Sequence, residues 1–284
     1  MTDHFVSTAW LHDHLDAPDV VAVDASWYLP AMNRDGKAEY AAGHIPGAVH
    51  FDIDAIADKT SPLPHMLPRP EDFGRMVGAL GIGDGMRVVV YDGAGLFAAP
   101  RVWWTLRTFG ARDVAILDGG APKWRAEGRP WTDEPSRRRP AVFTAKLDHG
   151  AVADSDRVAR VLAGGTGQVV DARPADRFRG EAAEPRPGVR AGHIPGSLNV
   201  PFTQIVAEGR LRSPAEIEAA FREAGVDLDR PVVTSCGSGV SAAILAVALE
   251  SLDRPVKALY DGSWADWGSS DRPLATGPAS NGKP

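Results

Sequence analysis

Cys236 is the only cysteine in the chain, and it stands in the segment Pro231-Val-Val-Thr-Ser-Cys-Gly-Ser-Gly-Val-Ser241. A strand-like run leads into it, a glycine-rich turn follows, and an apolar helix-like run, Ala242-Ala-Ile-Leu-Ala-Val-Ala-Leu249, comes next. A thiol at a strand-to-helix junction faces the first amides of the helix, and those amides with the helix dipole favour an anion. The thiolate is the nucleophilic form of cysteine. A lone cysteine is more often a small buried apolar residue. Gly237 and Gly239 weigh against that here, because a core position does not need a loop whose amides can fold around sulfur. Arg177 and Arg186 lie close together in Asp176-Arg-Phe-Arg-Gly-Glu-Ala-Ala-Glu-Pro-Arg-Pro-Gly188, with Arg179 and Arg190 nearby. A guanidinium fork matches a carboxylate in two-point contact, although an isolated arginine pair reads first as surface salt bridges.

Composition narrows the function classes. The 284 residues are 44% hydrophobic and 24% charged, ordinary for a globular protein of two domains or one large one. The formal net charge of −6 gives no electrostatic case for nucleic acid or an anionic membrane. No apolar run approaches the length of a membrane span, and Met1-Thr-Asp-His-Phe-Val-Ser-Thr-Ala-Trp10 lacks the regions of a signal peptide. One cysteine excludes an intrachain disulfide and a Cys-rich zinc or iron–sulfur site, so a reducing, cytoplasmic setting is expected. Asp92-Gly-Ala-Gly95 and Cys236-Gly-Ser-Gly239 each contain Gly-x-Gly, but neither extends to a dinucleotide or P-loop pattern. No cofactor and no metal are therefore expected.

The elements that must position Cys236 come in two copies. Ala42-Gly-His-Ile-Pro-Gly-Ala48 recurs 149 residues later as Ala191-Gly-His-Ile-Pro-Gly-Ser197. Val21-Ala-Val-Asp-Ala25 recurs at Gln168-Val-Val-Asp-Ala172, Leu117-Asp-Gly-Gly120 at Tyr260-Asp-Gly-Ser263, and Val88–Ala99 matches Val232–Ala243 at an offset of 144. Four matches in one order at nearly one spacing mean a duplicated domain, not a solenoid of short repeats. The chain divides as 1–135, a linker at 136–150 and 151–284, and the polar run Asp133-Glu-Pro-Ser-Arg-Arg-Arg-Pro140 reads as solvated connection, not an anion site. Strands are expected at 20–23, 87–90 and 114–117, and again at 168–170, 231–233 and 256–259. Amphipathic helices are expected over 70–80 and 213–224, the second with a Ser213 cap and Glu216 three residues on. Such alternation predicts α/β domains with a mostly parallel sheet flanked by helices and ligands at the carboxyl ends of the strands. The strand-end aspartates Asp24 and Asp171 recur in both copies and read as structural, and Trp103, Trp104, Trp124, Trp264 and Trp267 as core and interface packing. The tail 275–284 is expected to be loosely attached.

Two copies of Gly-His-Ile-Pro-Gly, two strand–Asp-Ala openings and a six-residue loop that starts with cysteine only in the second copy resemble the tandem-domain rhodaneses over roughly residues 5–275. The loop Cys236-Gly-Ser-Gly-Val-Ser241 is most similar to that of 3-mercaptopyruvate sulfurtransferases, with Ser241 where threonine is commoner. The resemblance implies two tandem rhodanese-like domains and transfer of sulfane sulfur from 3-mercaptopyruvate, through a Cys236 persulfide, to a thiol acceptor such as thioredoxin or to cyanide, with release of pyruvate. The amides of Gly237, Ser238, Gly239, Val240 and Ser241 would surround the sulfur. Arg177 and Arg186 would hold the substrate carboxylate and keto oxygen. Ser238 would join a proton relay with His44 and Asp35 of the first half, while His193 would be structural. Asp92 holds the position of Cys236 in the first copy, which should leave that domain catalytically silent and the active site between the domains. A monomer is expected, because duplication already gives the site two walls.

Three rivals remain distinguishable. Thiosulfate is a dianion, and its enzymes gain from basic residues in the loop, whereas Gly237 and Ser238 are neutral. A phosphatase would need Cys-x5-Arg, but the sixth residue after Cys236 is Ala242. A non-catalytic scaffold or sulfur-relay module has no need of an intact cysteine loop for scaffolding, though relay to a partner protein would use it.

Overall fold

Parallel strands dominate the architecture, because the apolar β-branched runs suit sheets buried on both faces. The computed structural model describes residues 4–279. The first half contributes β1 (Phe5–Val6), β2 (Val20–Asp24), β3 (Val49–His50), β4 (Arg87–Tyr91) and β5 (Asp113–Leu117), in the sheet order β1-β5-β4-β2-β3. The second contributes β6 (Val152–Ala153), β7 (Gln168–Asp171), β8 (Leu198–Asn199), a separate hairpin of β9 (Val206–Ala207) and β10 (Arg210–Leu211), then β11 (Val232–Ser235) and β12 (Val256–Tyr260). Its sheet order, β6-β12-β11-β7-β8, repeats the first, and every neighbouring pair in both sheets is parallel. The six expected strands are the six longest. The two-residue edge strands and the hairpin are too short to carry a period that sequence reading could detect.

Helices α1 (Thr8–Asp13), α2 (Gly36–Ala42), α3 (Pro70–Ala79), α4 (Ala99–Thr108) and α5 (Gly120–Ala126) flank the first sheet. Helices α6 (Ser155–Ala163), α7 (Ala175–Arg179), α8 (Pro214–Glu223), α9 (Ala242–Ser251) and α10 (Ser263–Trp267) belong to the second half. The expected cap of α8 is a full capping box between Ser213 and Glu216. Residues Ala242–Leu249 of α9 are all buried, since the helix packs on its own sheet and on α4 of the first half. That is why it carries no polar face. One continuous apolar core runs through both halves.

Polar contacts tie the halves at the same level. Buried Arg101 of α4 donates Nη2 to Asp261 Oδ1 at 2.6 Å, and Arg107 donates to Glu250 at 2.7 Å. In the reverse direction, Arg210 of β10 pairs with Asp118 at 2.9 Å. Gly95 and Gly209 abut backbone to backbone, and a Cβ on Gly95 would stand 2.6 Å from the Gly209 Cα.

Two connecting segments differ from the sequence expectation. Residues 136–150 lie against the first half: Ala141 donates to the Gly78 carbonyl, Lys146 to that of Phe109, and Phe143 packs edge-on against Phe73. Arg138, expected to be solvated, donates to the Val20 carbonyl at 3.2 Å. The tail is fastened through 279: Ala275 exchanges backbone bonds with His193, and the Gly277 amide donates to Arg179. Residues 280–284 lie outside the described residues. The five tryptophans are buried, and the strand-end aspartates hold loop groups, Asp24 the Ser26 amide and Asp171 the Arg173 amide and guanidinium. No helix among the described residues is long and apolar enough to cross a membrane.

Candidate active site

Strand β11 ends at Ser235 and delivers Cys236 to the carboxyl edge of the second sheet, between β12 and β7. The loop is held from behind by the start of α10. Trp264 and Ala265 donate their amides to the carbonyls of Cys236 and Gly237, both at 2.9 Å, and Cys236 donates its own amide to Ser263 Oγ at 3.1 Å. Gly239 turns the loop with φ of 79°, a conformation that disfavours a side chain. A Cβ there would also come within 2.8 Å of the Arg101 guanidinium. Val240 and Cys236 are buried, Ser241 precedes α9 without a side-chain cap bond, and Ser238 is 4% exposed.

The first half contains the same loop with a carboxylate in place of the thiol. Asp92 Oδ2 accepts the amides of Phe97, Ala98 and Ala99, and Oδ1 that of Ala94, each at 2.8 Å. The 144-residue offset matches those donors to Ser238, Ser241, Ala242 and Ala243. A loop of this shape thus gathers its amides around one negative charge.

Both expected arginines converge on the loop. A Cβ added to Gly237 would lie 3.2 Å from Nη2 of Arg177. Arg177 is fixed by Glu184, to which it donates Nη2 and, at 3.3 Å, Nε. Glu184 is itself buried and also accepts from Arg173 at 2.7 Å. Arg186 donates Nη2 to Ser238 Oγ at 3.3 Å. Burial holds the Arg186 guanidinium below its ordinary range, with neighbouring Arg177 acting in the same direction and Cys236 opposing. Arg179 and Arg190 take no part in the site: the first pairs with exposed Glu181, and the second donates to the carbonyls of Gly268 and Arg272.

The expected partners of Ser238 require correction. Asp35 caps α2, its carboxylate accepting the Ala38 amide at 3.0 Å. The His44 ring stacks on Tyr40, and its Nδ1 bonds the Tyr40 carbonyl at 2.8 Å. His193 does the same with Phe178, so the recurring Gly-His-Ile-Pro-Gly histidine pins its own half. The imidazole that reaches the second half is His65, whose Nε2 accepts from Arg186 at 3.3 Å. Since a guanidinium only donates, the ring proton sits on Nδ1, which faces Asp54 Oδ1 at 3.0 Å. Burial depresses the His65 imidazole, against the opposing pull of Asp54, and the imidazole holds the Asp54 carboxyl below the usual carboxylate range.

His65 has φ of 62°, an uncommon backbone for histidine that needs outside support. Arg101 gives it, donating Nη2 to the His65 carbonyl at 2.6 Å while pairing with Asp261. Two residues on, the Leu67 amide donates to the other Asp261 oxygen at 2.8 Å. Sequence reading missed Asp54, His65 and Arg101. The available signal was a proline-rich stretch, Ser61-Pro-Leu-Pro-His-Met-Leu-Pro68, that has no counterpart in the second copy.

Comparison with known proteins identifies the family. The rhodanese-like domain matches residues 7–127 and 154–270. The chain is 46% identical to the 3-mercaptopyruvate sulfurtransferase of Escherichia coli strain K12 over 275 residues, 96% of this chain and 98% of the relative. It is 44% identical to the thiosulfate sulfurtransferase of Rattus norvegicus over 270 residues, covering 92% and 91%. The crystal structure of SseA from Escherichia coli, described as that of a 3-mercaptopyruvate sulfotransferase, superposes with a TM-score of 0.85 at 44% identity, over 93% of this chain and 99% of the other. The chain belongs to the rhodanese family, with two tandem copies of the domain.

Proposed function

We propose that the protein is a 3-mercaptopyruvate sulfurtransferase in which Cys236 is the sulfur carrier. The observation that carries this reading is the pair of guanidiniums on a neutral cysteine loop, Arg177 against Gly237 and Arg186 on Ser238. Together they suit a keto acid better than a free dianion, because a carboxylate and a keto oxygen need two separate donors. The Cys236 thiolate attacks the donor's sulfur, an S–S bond forms, the C–S bond breaks, and its electron pair leaves on the pyruvate enolate. That carbanion equivalent takes up a proton and departs as pyruvate. Ser238 Oγ and His65 Nε2 both meet Arg186 Nη2, with Asp54 on the far side of the ring, so the hydroxyl and the imidazole are the titratable groups at hand for that proton. The guanidinium, a donor only, binds the substrate and does not carry the proton. An acceptor thiolate then attacks the outer sulfur and returns Cys236 to the thiolate, the second half of a covalent cycle. The acceptor is a small dithiol protein such as thioredoxin, or cyanide in the assay. The single cysteine supports a reducing cytoplasmic setting, and the two-walled site supports a working monomer.

The first half serves as the second wall and is silent, since a carboxylate at Asp92 cannot carry sulfane sulfur. Near-equal identity to named mercaptopyruvate and thiosulfate enzymes makes donor choice a question for kinetics. The test measures kcat/KM for 3-mercaptopyruvate and thiosulfate side by side, with cyanide as acceptor, on wild type and Cys236→Ser. A preference for mercaptopyruvate that vanishes in the variant supports the reading. A preference for thiosulfate, or turnover that survives in Cys236→Ser, sinks it.

A further inference from the structure

The cavity at the carboxyl end of the first sheet has a filled twin in the second half. In the second half, buried Arg173 bonds Asp171 through Nε and Nη2, Glu184 through Nη1 at 2.7 Å and the Gly192 carbonyl through Nη2 at 2.9 Å. Its guanidinium carbon lies 4.6 Å from the centre of the Trp264 ring. The repeat puts Ser26 where Arg173 stands, Asp24 for Asp171, Gly43 for Gly192 and Ala121 for Trp264. Glu39 takes the part of Glu184. It binds Arg34 through two oxygens, and a Cβ added to Gly93 would lie 3.2 Å from Arg34 Nη2, as one on Gly237 would from Arg177 Nη2.

Where Arg173 and Trp264 fill the second half, the first half has a cavity of about 690 Å³. Asp24, Ser26, Glu39, Gly43 and Ala121 all line it. The counterparts of Arg173's hydrogen-bond partners therefore stand around the cavity, with Arg34 also lining it on Glu39 as Arg177 stands on Glu184, and with no ring in the place of Trp264. Asp24 is 3% exposed, and burial raises its carboxyl above the ordinary range, which an incoming cation would reverse. Arg125 also lines the cavity, its guanidinium over the Trp131 ring at 5.4 Å, and supplies a positive charge for an acidic group.

We propose that the first half binds a small guanidinium compound of the arginine type, its guanidinium between Asp24 and Glu39 as Arg173 lies between Asp171 and Glu184, and its carboxylate toward Arg125. No covalent step is involved. The site shares no residue with the Cys236 loop, so its failure would leave the sulfurtransferase reading intact.

The test is calorimetric titration of the full chain with L-arginine, agmatine (which lacks the carboxylate) and L-citrulline (a neutral isostere). Arginine should bind saturably and at least roughly tenfold more tightly than citrulline, a difference of about 1.4 kcal/mol, with agmatine between them. Ser26→Arg, which rebuilds the second-half arrangement, and Ala121→Trp, which fills the space by another route, should each abolish arginine binding without loss of mercaptopyruvate turnover. Equal or absent binding of arginine and citrulline overturns the proposal, as does unimpaired arginine binding in a folded Ser26→Arg or Ala121→Trp protein. If neither variant folds, the arginine–citrulline ratio on wild type decides.

Discussion

The loops after β4 and β11 share a backbone turn and differ in the side chain they enclose. In the first, Asp92 fills the ring of amides with its own carboxylate. In the second, Cys236 places a thiol where that carboxylate stands. The same turn therefore encloses a fixed carboxylate in one half and, on the reading proposed above, an atom that can form and break a bond to sulfur in the other. The loops also differ in what faces them. The hairpin β9–β10 closes on Gly95 through Gly209, whereas the stretch around His65 and Arg186 brings titratable groups to Ser238.

The comparison can be broken most forcefully by Cys236→Asp. It should remove all mercaptopyruvate turnover while raising the melting temperature, because it copies the satisfied carboxylate of the first half. A variant that is inactive but melts lower than wild type would mean that the two nests are not equivalent. Arg101→Met strikes the contact that joins the two loops through Gly239, His65 and Asp261. Removing one partner of a buried ion pair costs about 3–5 kcal/mol, and chemical denaturation should find a loss of that size together with a fall in kcat. Asp92→Ala leaves its amides without an acceptor and should cost about 2–4 kcal/mol, with KM for mercaptopyruvate unchanged in the folded protein. Arg177→Lys and Arg186→Lys keep the charge but lose the planar fork, so each should raise KM by about 10–100-fold. A smaller change would weaken the two-point clamp.

The finest test separates His65 from His44. His65→Gln should lower kcat and alter its pH profile, while His44→Gln should change stability alone. The stability profile has a definite sign. His65 has a folded value below its ordinary 6.5, so the unfolded chain binds more protons and stability rises with pH in that window. Its contribution is complete above about pH 6.5 and is lost as the pH falls toward the folded value. His193, also depressed by burial, acts in the same direction. Denaturation midpoints between pH 7 and 5 should fall less steeply in His65→Gln than in wild type; an unchanged slope would remove His65 as the source.

How far the sequence could be read depended on range. The strand runs, the capping box of α8 and the all-apolar α9 follow from local pattern, and the duplication follows from repeated words, so the fold was legible at once. Cys236 was legible from its strand, glycine-rich turn and helix, and Arg177 and Arg186 through the family resemblance, since an arginine pair by itself reads as surface ion pairs. His65 and Asp54, which reach the site through Arg186, were not. Gly-His-Ile-Pro-Gly points to His44, but its Nδ1 is held by the Tyr40 carbonyl within its own half, as that of His193 is by Phe178.

By itself, the sequence determined two parallel α/β halves, one thiol at a strand end, and a carboxylate in its place in the other half. Those features depend on neighbours within a few residues, or on the chain repeating itself. Only the tertiary structure decided which side chains cross between the halves. His65 meets Arg186, Arg101 meets Asp261, and Arg210 meets Asp118 through the packing of α4 on α9 and the closing of a hairpin on a glycine. Likewise, the cavity exists only because the fold brings Ala121, far away in sequence, to the small Ser26 beside Asp24.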